Sequence, residues 1–356
     1  MGFLRTYLAL CVVASHASAN CADRMLNGME AVQLFYVISG FYMQLILAGK
    51  YSSVGQFYES RALRIYVPYF AVLLFVVAGS ALSGLLAGKW LALQPYLTPD
   101  AWGDSHPAAV AAAALTNLTV FGQDALFFVS GTQNIPPLWP FLVIQPSWTI
   151  ALELTFYLLA PFLARWSSRG LIALVVASLL ARFLGCHWLG FSGDPWLYRF
   201  FPFEIAFFIA GMLACRAYRW WAEGSFAAVS YPGVIAGLLV FLTAWTWFLP
   251  EWPRKCGELF PIYGLYAAML PVIVMVFAAT SKNRFDRAVG ELSFPVYLNH
   301  FFVLEFFRAY GYGGLVPPPW QGEVVMLVSL ILALAMTIFS LAPFERWRHR
   351  VVHVSS

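Results

Sequence analysis

Arg5 and His16 stand eleven residues apart in one apolar run near the start of the chain. On an α-helix eleven residues turn about 1100°, three turns plus about 20°, and rise about 16 Å. Both side chains therefore share a face. An imidazole there can exchange protons near neutral pH, and the guanidinium can hold an anion. The pair suits a long anionic substrate whose reactive end is carried to the imidazole. The plain alternative is a snorkelling arginine and a structurally satisfied histidine.

Other polar residues sit where apolar ones would be expected. Glu153 follows Pro146-Ser147-Trp148-Thr149-Ile150-Ala151-Leu152 in a long apolar run. A carboxylate inside a bilayer costs several kcal/mol unless it is paired, protonated or hydrated. A histidine partner would relieve that cost and make an oriented base; a structural hydrogen-bond anchor is the alternative. Glu204 and His300 lie in two further apolar runs, and each reads equally well as site lining or as structure. Arg61-Ala62-Leu63-Arg64 puts two guanidinium groups on one side of a helix, a spacing that suits phosphate and also suits an ordinary cytoplasmic edge. Ser39, in Ser39-Gly40-Phe41, could line the site or serve as a nucleophile. No acid or histidine lies near it in sequence, so a packing role for the Ser-Gly pair is the preferred reading.

These residues need helices to hold them in lipid. Of 356 residues 61% are hydrophobic and only 11% charged, with a mean hydropathy of +0.73. So few charges cannot cover a soluble particle. A soluble enzyme, a disordered chain and a nucleic-acid binder are excluded. Apolar runs fall at 3–19, 29–48, 65–88, 147–165, 170–185, 199–216, 231–249, 261–280, 292–308 and 323–342. An eleventh, 109–130, is Ala-rich and holds Asn117, Gln123 and Asp124. We set it aside as a non-spanning element in an outer loop, 89–146, which carries Asp100, Asp104, His106 and Asp124 and whose Pro, Trp and Gly content suggests a lid over an acceptor site. With both termini cytoplasmic, 14 of the 21 lysines and arginines fall on inner segments and the remaining 7 on outer ones, as the positive-inside rule asks.

The expected fold is all-α: a polytopic membrane helical bundle of about ten transmembrane helices, one domain over residues 1–356. The first twenty residues share the form of a secretory signal, with Arg5 and Ala17-Ser18-Ala19. The single charge and the interruption at Ser15-His16 favour a first span instead. Cys11, Cys21, Cys186, Cys215 and Cys256 show no metal or redox spacing. They read as mostly inert, with a disulfide among Cys21, Cys186 and Cys256 as the lesser alternative.

Six short segments, in order, resemble the acyltransferase-3 family of bacterial integral-membrane O-acyltransferases. They are Arg5 with His16 ten residues beyond it, Leu34 to Phe41 with its Ser-Gly-Phe, Phe57 to Pro68 with Arg61 and Arg64, Ser147-Trp148 through Glu153 to Leu158, Leu292 to His300, and Phe344-Glu345-Arg346. Gln33 stands where the family often has an acid, Ala31-Val32 where it often has Gly-Val, and Leu154 where it has a second acid. The resemblance is to the stand-alone form, in the bacterial inner membrane. It implies transfer of an acyl group, acetyl by default, from cytoplasmic acyl-CoA to a hydroxyl of a carbohydrate or glycolipid acceptor, with no bound cofactor and no metal. His16 would be base or acyl relay, Glu153 would orient it, and Arg5, Arg61 and Arg64 would bind the donor. Ser39, Glu204 and His300 would line the site, His300 as a candidate oxyanion donor. A transporter or flippase for a lipid-linked or small anionic substrate is the rival reading, since intramembrane His and Glu can also relay protons. The chain shows no inverted repeat to support it. A membrane polymerase or ligase for lipid-linked sugars, working through a large outer loop, is a further rival.

Overall fold

The computed structural model of the protein describes residues 1–49, 51, 53–97, 107–129, 137–222, 230–248, 259–341 and 343–344. Every regular element among them is helical. In chain order the α-helices are α1 (Gly2–Ala17), α2 (Gly28–Leu47), α3 (Val54–Ala87), α4 (Gln94–Leu97), α5 (Pro107–Thr119), α6 (Leu126–Val129), α7 (Trp148–Leu163), α8 (Ser168–Trp188), α9 (Trp196–Arg199), α10 (Phe201–Ala222), α11 (Tyr231–Phe248), α12 (Leu259–Thr280), α13 (Arg284–Glu291), α14 (Ser293–Tyr310) and α15 (Gln321–Met336). Lys50, Asp100, Asp104, His106, Arg254, Lys255, Cys256, Glu345, Arg346, Arg348 and Arg350 lie outside the described residues.

Seven of the described helical segments are long and apolar enough to cross a bilayer: 28–47, 54–87, 145–163, 168–188, 196–220, 263–280 and 318–341. Several carry rows of exposed aliphatic side chains at helical spacing. Ile172, Val176 and Leu180 mark α8, and Leu327, Ile331 and Leu334 mark α15. In water such stripes would be aggregation surfaces; hydrocarbon is the solvent they match. α3 is 34 residues long, about 51 Å at 1.5 Å per residue and well beyond a hydrocarbon core of about 30 Å. It begins well before the apolar run at 65–88, so Arg61 and Arg64 share its first turns. Helix α5 has 13 residues, about 20 Å.

The helices group into two compact units. The first takes Met1–Tyr58 and Phe156–Ser293. Its centre is the crossing of α2 with α10, and glycine sets how close they come. A Cβ on Gly40 would lie 1.8 Å from the Phe208 carbonyl oxygen, and one on Gly211 would lie 1.9 Å from that of Val37. Rings fill the space beside the crossing: Tyr36 stacks on Phe208 at 4.5 Å, and Phe208 on Phe156 at 4.3 Å. The Asn27–Glu30 capping box starts α2. α1 is fastened at its beginning by α13. Asp286 accepts from the backbone N–H of Gly2 (2.6 Å) and Phe3 (3.0 Å) and pairs with the Met1 amino group at 2.8 Å. Burial pushes the Asp286 carboxyl up, but these donors outweigh it and hold the pKa below the ordinary aspartate value.

The second unit takes Glu59–Thr155 and Phe294–His353. Here the described part of the 89–146 segment is a folded element built on Asn117. Its side-chain amide donates to the Phe141 carbonyl (3.0 Å) and the Tyr96 hydroxyl (3.0 Å), and its Oδ1 accepts from Val143 N–H (2.9 Å). Tyr69 donates to the Asn117 carbonyl at 2.8 Å. Val110, Ala113, Leu126, Leu138, Phe141 and Leu142 form an apolar cluster beneath these bonds. The polar residues that weaken 109–130 as a span are thus its internal hydrogen-bond partners.

Candidate active site

Arg5 and His16 lie on one unbroken helix, α1, so the three-turn geometry of their spacing applies to the folded chain. Arg5 is half-buried and His16 is exposed. α1 stops one residue later, where Ser18 takes left-handed backbone angles (φ 50°, ψ 44°). The last turn is tied to α2: Ser15 donates to the Cys11 carbonyl and accepts from Gly28 N–H, each at 3.0 Å. The imidazole therefore stands at the helix end on a fixed backbone.

Ser39 is buried, and its hydroxyl donates to the Tyr157 hydroxyl at 3.3 Å. The neighbouring Gly40 makes the close approach to α10, in line with a packing role for the pair. In the second unit, Arg61 is 7% exposed and Arg64 is exposed. Both sit on α3, three residues apart. Glu153 is partly buried in the first turns of α7. His300 is fully buried, with Nδ1 2.6 Å from the Tyr297 carbonyl oxygen. A carbonyl can only accept, so Nδ1 carries the hydrogen. Nε2 then accepts in the neutral ring and donates in the protonated one.

Glu204 is the predicted residue whose surroundings are most completely defined. It is fully buried and forms an ion pair with Arg182 Nη1 at 2.9 Å. Gln33 donates to both its oxygens, at 3.1 and 2.9 Å. Tyr266 donates to Gln33 Oε1, and Arg182 Nη2 reaches the Leu197 carbonyl at 2.8 Å. Four helices, α2, α8, α10 and α12, each give one side chain. Both carboxylate oxygens have donors, which is what makes a buried pair tolerable.

Sequence reasoning did not find Arg182, Gln33 or Tyr266 as partners of Glu204. The signal is there: an arginine within an apolar run needs a buried acid, and Glu204 is one. Asp286 was missed as well, because a short polar helix between two spans carries no motif. Cys186 is disulfide-bonded, while Cys11, Cys21 and Cys215 carry thiols.

The family model for an acyltransferase domain matches residues 1–338. The chain belongs to the acyltransferase-3 family. As a member of that family it is a membrane acyltransferase, an enzyme that moves acyl groups other than aminoacyl ones. The match takes in residues of both compact units. No curated protein and no solved structure matches the chain.

Proposed function

We propose that this acyltransferase-3 protein carries an acyl group, acetyl by default, from cytoplasmic acyl-CoA to a hydroxyl of a carbohydrate or glycolipid acceptor. The observation that carries the reading is the family match together with Arg5 and His16 on one unbroken helix. His16 takes the proton of the acceptor hydroxyl as its oxygen bonds to the acyl carbon. The carbon–sulfur bond breaks, and the proton passes to the departing thiolate. Alternatively the imidazole first accepts the acyl group and hands it on. Glu153 supports the imidazolium charge that develops. Arg5, Arg61 and Arg64 hold the phosphates and amides of the donor. His300 lines the site as a candidate oxyanion donor through Nε2.

In the same proposal the enzyme crosses the bacterial inner membrane ten times, with both termini in the cytoplasm. The shorter apolar helices α1 and α11 and the more polar α14 join the seven long segments. The disulfide at Cys186 supports this orientation, because disulfides persist in oxidising compartments and the C-terminal end of α8 then faces outward.

The test is thiol release from acetyl-CoA by purified protein in detergent. His16→Ala is expected to lose about 10²–10⁴-fold in rate, as removal of a general base does, and Glu153→Gln at least about tenfold. Both variants must elute as the wild type does on gel filtration. Near-wild-type rates in both would end the assignment. Trapping of radiolabelled acetyl on wild-type protein, absent from His16→Ala, separates relay from direct transfer.

A further inference from the structure

A groove in the second unit is lined by none of the residues assigned above. Among the residues that line it are Gln94, Pro95, Trp139, Leu142, Gln145 and Glu305 of α14, and the space between them is about 210 Å³. Glu305 Oε2 is buried and takes no hydrogen bond among the described residues. A carboxyl oxygen shut from water without a hydrogen-bond partner is costly and marks a place where a polar partner is meant to arrive.

The rest of the lining says what kind of partner. Gln94 and Gln145 are among the lining residues, and an amide can both donate and accept. Trp139 is 36% exposed and stacks on Phe127 at 6.1 Å with an 8° interplanar angle. Pro95, Pro140 and Leu142 supply apolar faces. A buried carboxyl oxygen that lacks a partner among the described residues, two amides and a fixed indole match a neutral polyhydroxylated ring, whose hydroxyls donate and accept around its rim while its C–H face stacks. The volume suits one such ring and falls below the roughly 300–1,000 Å³ of pockets for larger ligands.

The groove is rigidly framed. Tyr96 and Asn117 both bond to the Phe141 carbonyl. At the end of α14, Ser83 joins the Tyr310 hydroxyl at 2.7 Å and the Lys89 carbonyl at 2.6 Å. The Lys89 ammonium reaches the Ala309 carbonyl and lies 4.2 Å above the Tyr310 ring. Lys89 is thereby engaged outside the groove lining. Arg308, one turn along α14, forms no ion pair with Glu305 among the described residues.

We propose that this groove binds one neutral sugar ring, with Glu305 receiving its hydroxyls and Trp139 its apolar face. That this ring belongs to the acyl acceptor rests on the function proposed above; that a sugar binds does not.

Saturation-transfer NMR on the full chain in detergent tests it, with the methyl glycosides of glucose, galactose, N-acetylglucosamine and rhamnose as probes and tetramethylammonium as the cationic control. The expected result is ring-proton saturation for at least one glycoside and none for the cation. Glu305→Ala and Trp139→Ala, each monodisperse on gel filtration, should weaken binding at least about tenfold. Glu305→Gln should fall between them and wild type. Should Glu305→Ala fail to fold, Trp139→Ala and Gln94→Ala decide. Absence of glycoside saturation, saturation untouched by the variants, or preference for the cation overturns the proposal. Thiol release from acetyl-CoA by the wild type, measured beside it, tells the two readings apart: glycoside binding without thiol release sinks acyl transfer and leaves the groove, and the reverse sinks the groove alone.

Discussion

Inside a bilayer a charged side chain has no solvent to fall back on, so its partner must be supplied by another helix. Glu204 and Arg182 meet that condition across α10 and α8, with Gln33 and Tyr266 completing the set. Removing one member leaves the other buried and unpaired, and such losses cost about 3–5 kcal/mol. Arg182→Ala or Glu204→Ala should therefore lower the unfolding temperature in detergent sharply. The paired replacement Arg182→Met with Glu204→Leu should cost less than either single change. A stable Glu204→Ala protein with lost activity would instead make Glu204 part of the reacting site. Asp286 obeys the same logic outside the spans, with a pH signature. Its pKa is depressed in the folded protein, so its contribution is complete above the unfolded value near 3.9 and disappears as pH falls through the lower folded value. Thermal melts from pH 6 to pH 3 should show the wild type above Asp286→Asn by a constant margin down to about pH 4, narrowing below it. A margin that widens on acidification would refute the assignment.

The helices themselves could be read from apolar runs, and the ends moved for physical reasons. α3 starts at Val54 rather than near 65 because Phe57 and Tyr58 have aromatic partners, and Phe57 is buried, outside the apolar window. The segment 109–130 breaks after Thr119, where Val120 and Gly122 take positive φ. What no run could show is which helices cross. Gly40 hints that α2 approaches another backbone, but the matching half, Gly211, lies on α10, far along the chain, and nothing in the sequence pairs the two. The expectation at this crossing is steric. Gly40→Ala or Gly211→Ala should force α2 and α10 apart and cost about 1–3 kcal/mol or more. Gly237→Ala on α11, where a Cβ meets nothing within 4 Å, should be neutral or slightly stabilising through helix propensity. Melting temperatures of the three variants in one detergent check this, and equal effects at all three positions would remove the close crossing as the cause.

For the whole molecule, the distribution of charge sets which way the chain faces. The all-helical, lipid-solvated character was legible from 61% hydrophobic and 11% charged residues, because no other solvent fits that surface. The division into two compact units was not legible, since no linker or composition change marks it. The proposed orientation rests on the lysine and arginine bias, and the Cys186 disulfide offers it a chemical test. If the C-terminal end of α8 faces the oxidising side, protein from intact cells whose thiols are blocked before lysis should run faster on non-reducing than on reducing gels. Cys186→Ser should abolish that difference. Reporter fusions should agree: alkaline phosphatase joined after Gly190 should be active, and the same reporter joined after Trp166 should be silent. The reverse pattern would place His16 near the cytoplasmic face and Arg5 outside, and a donor from the cytoplasm could then no longer enter past the guanidinium to reach the imidazole.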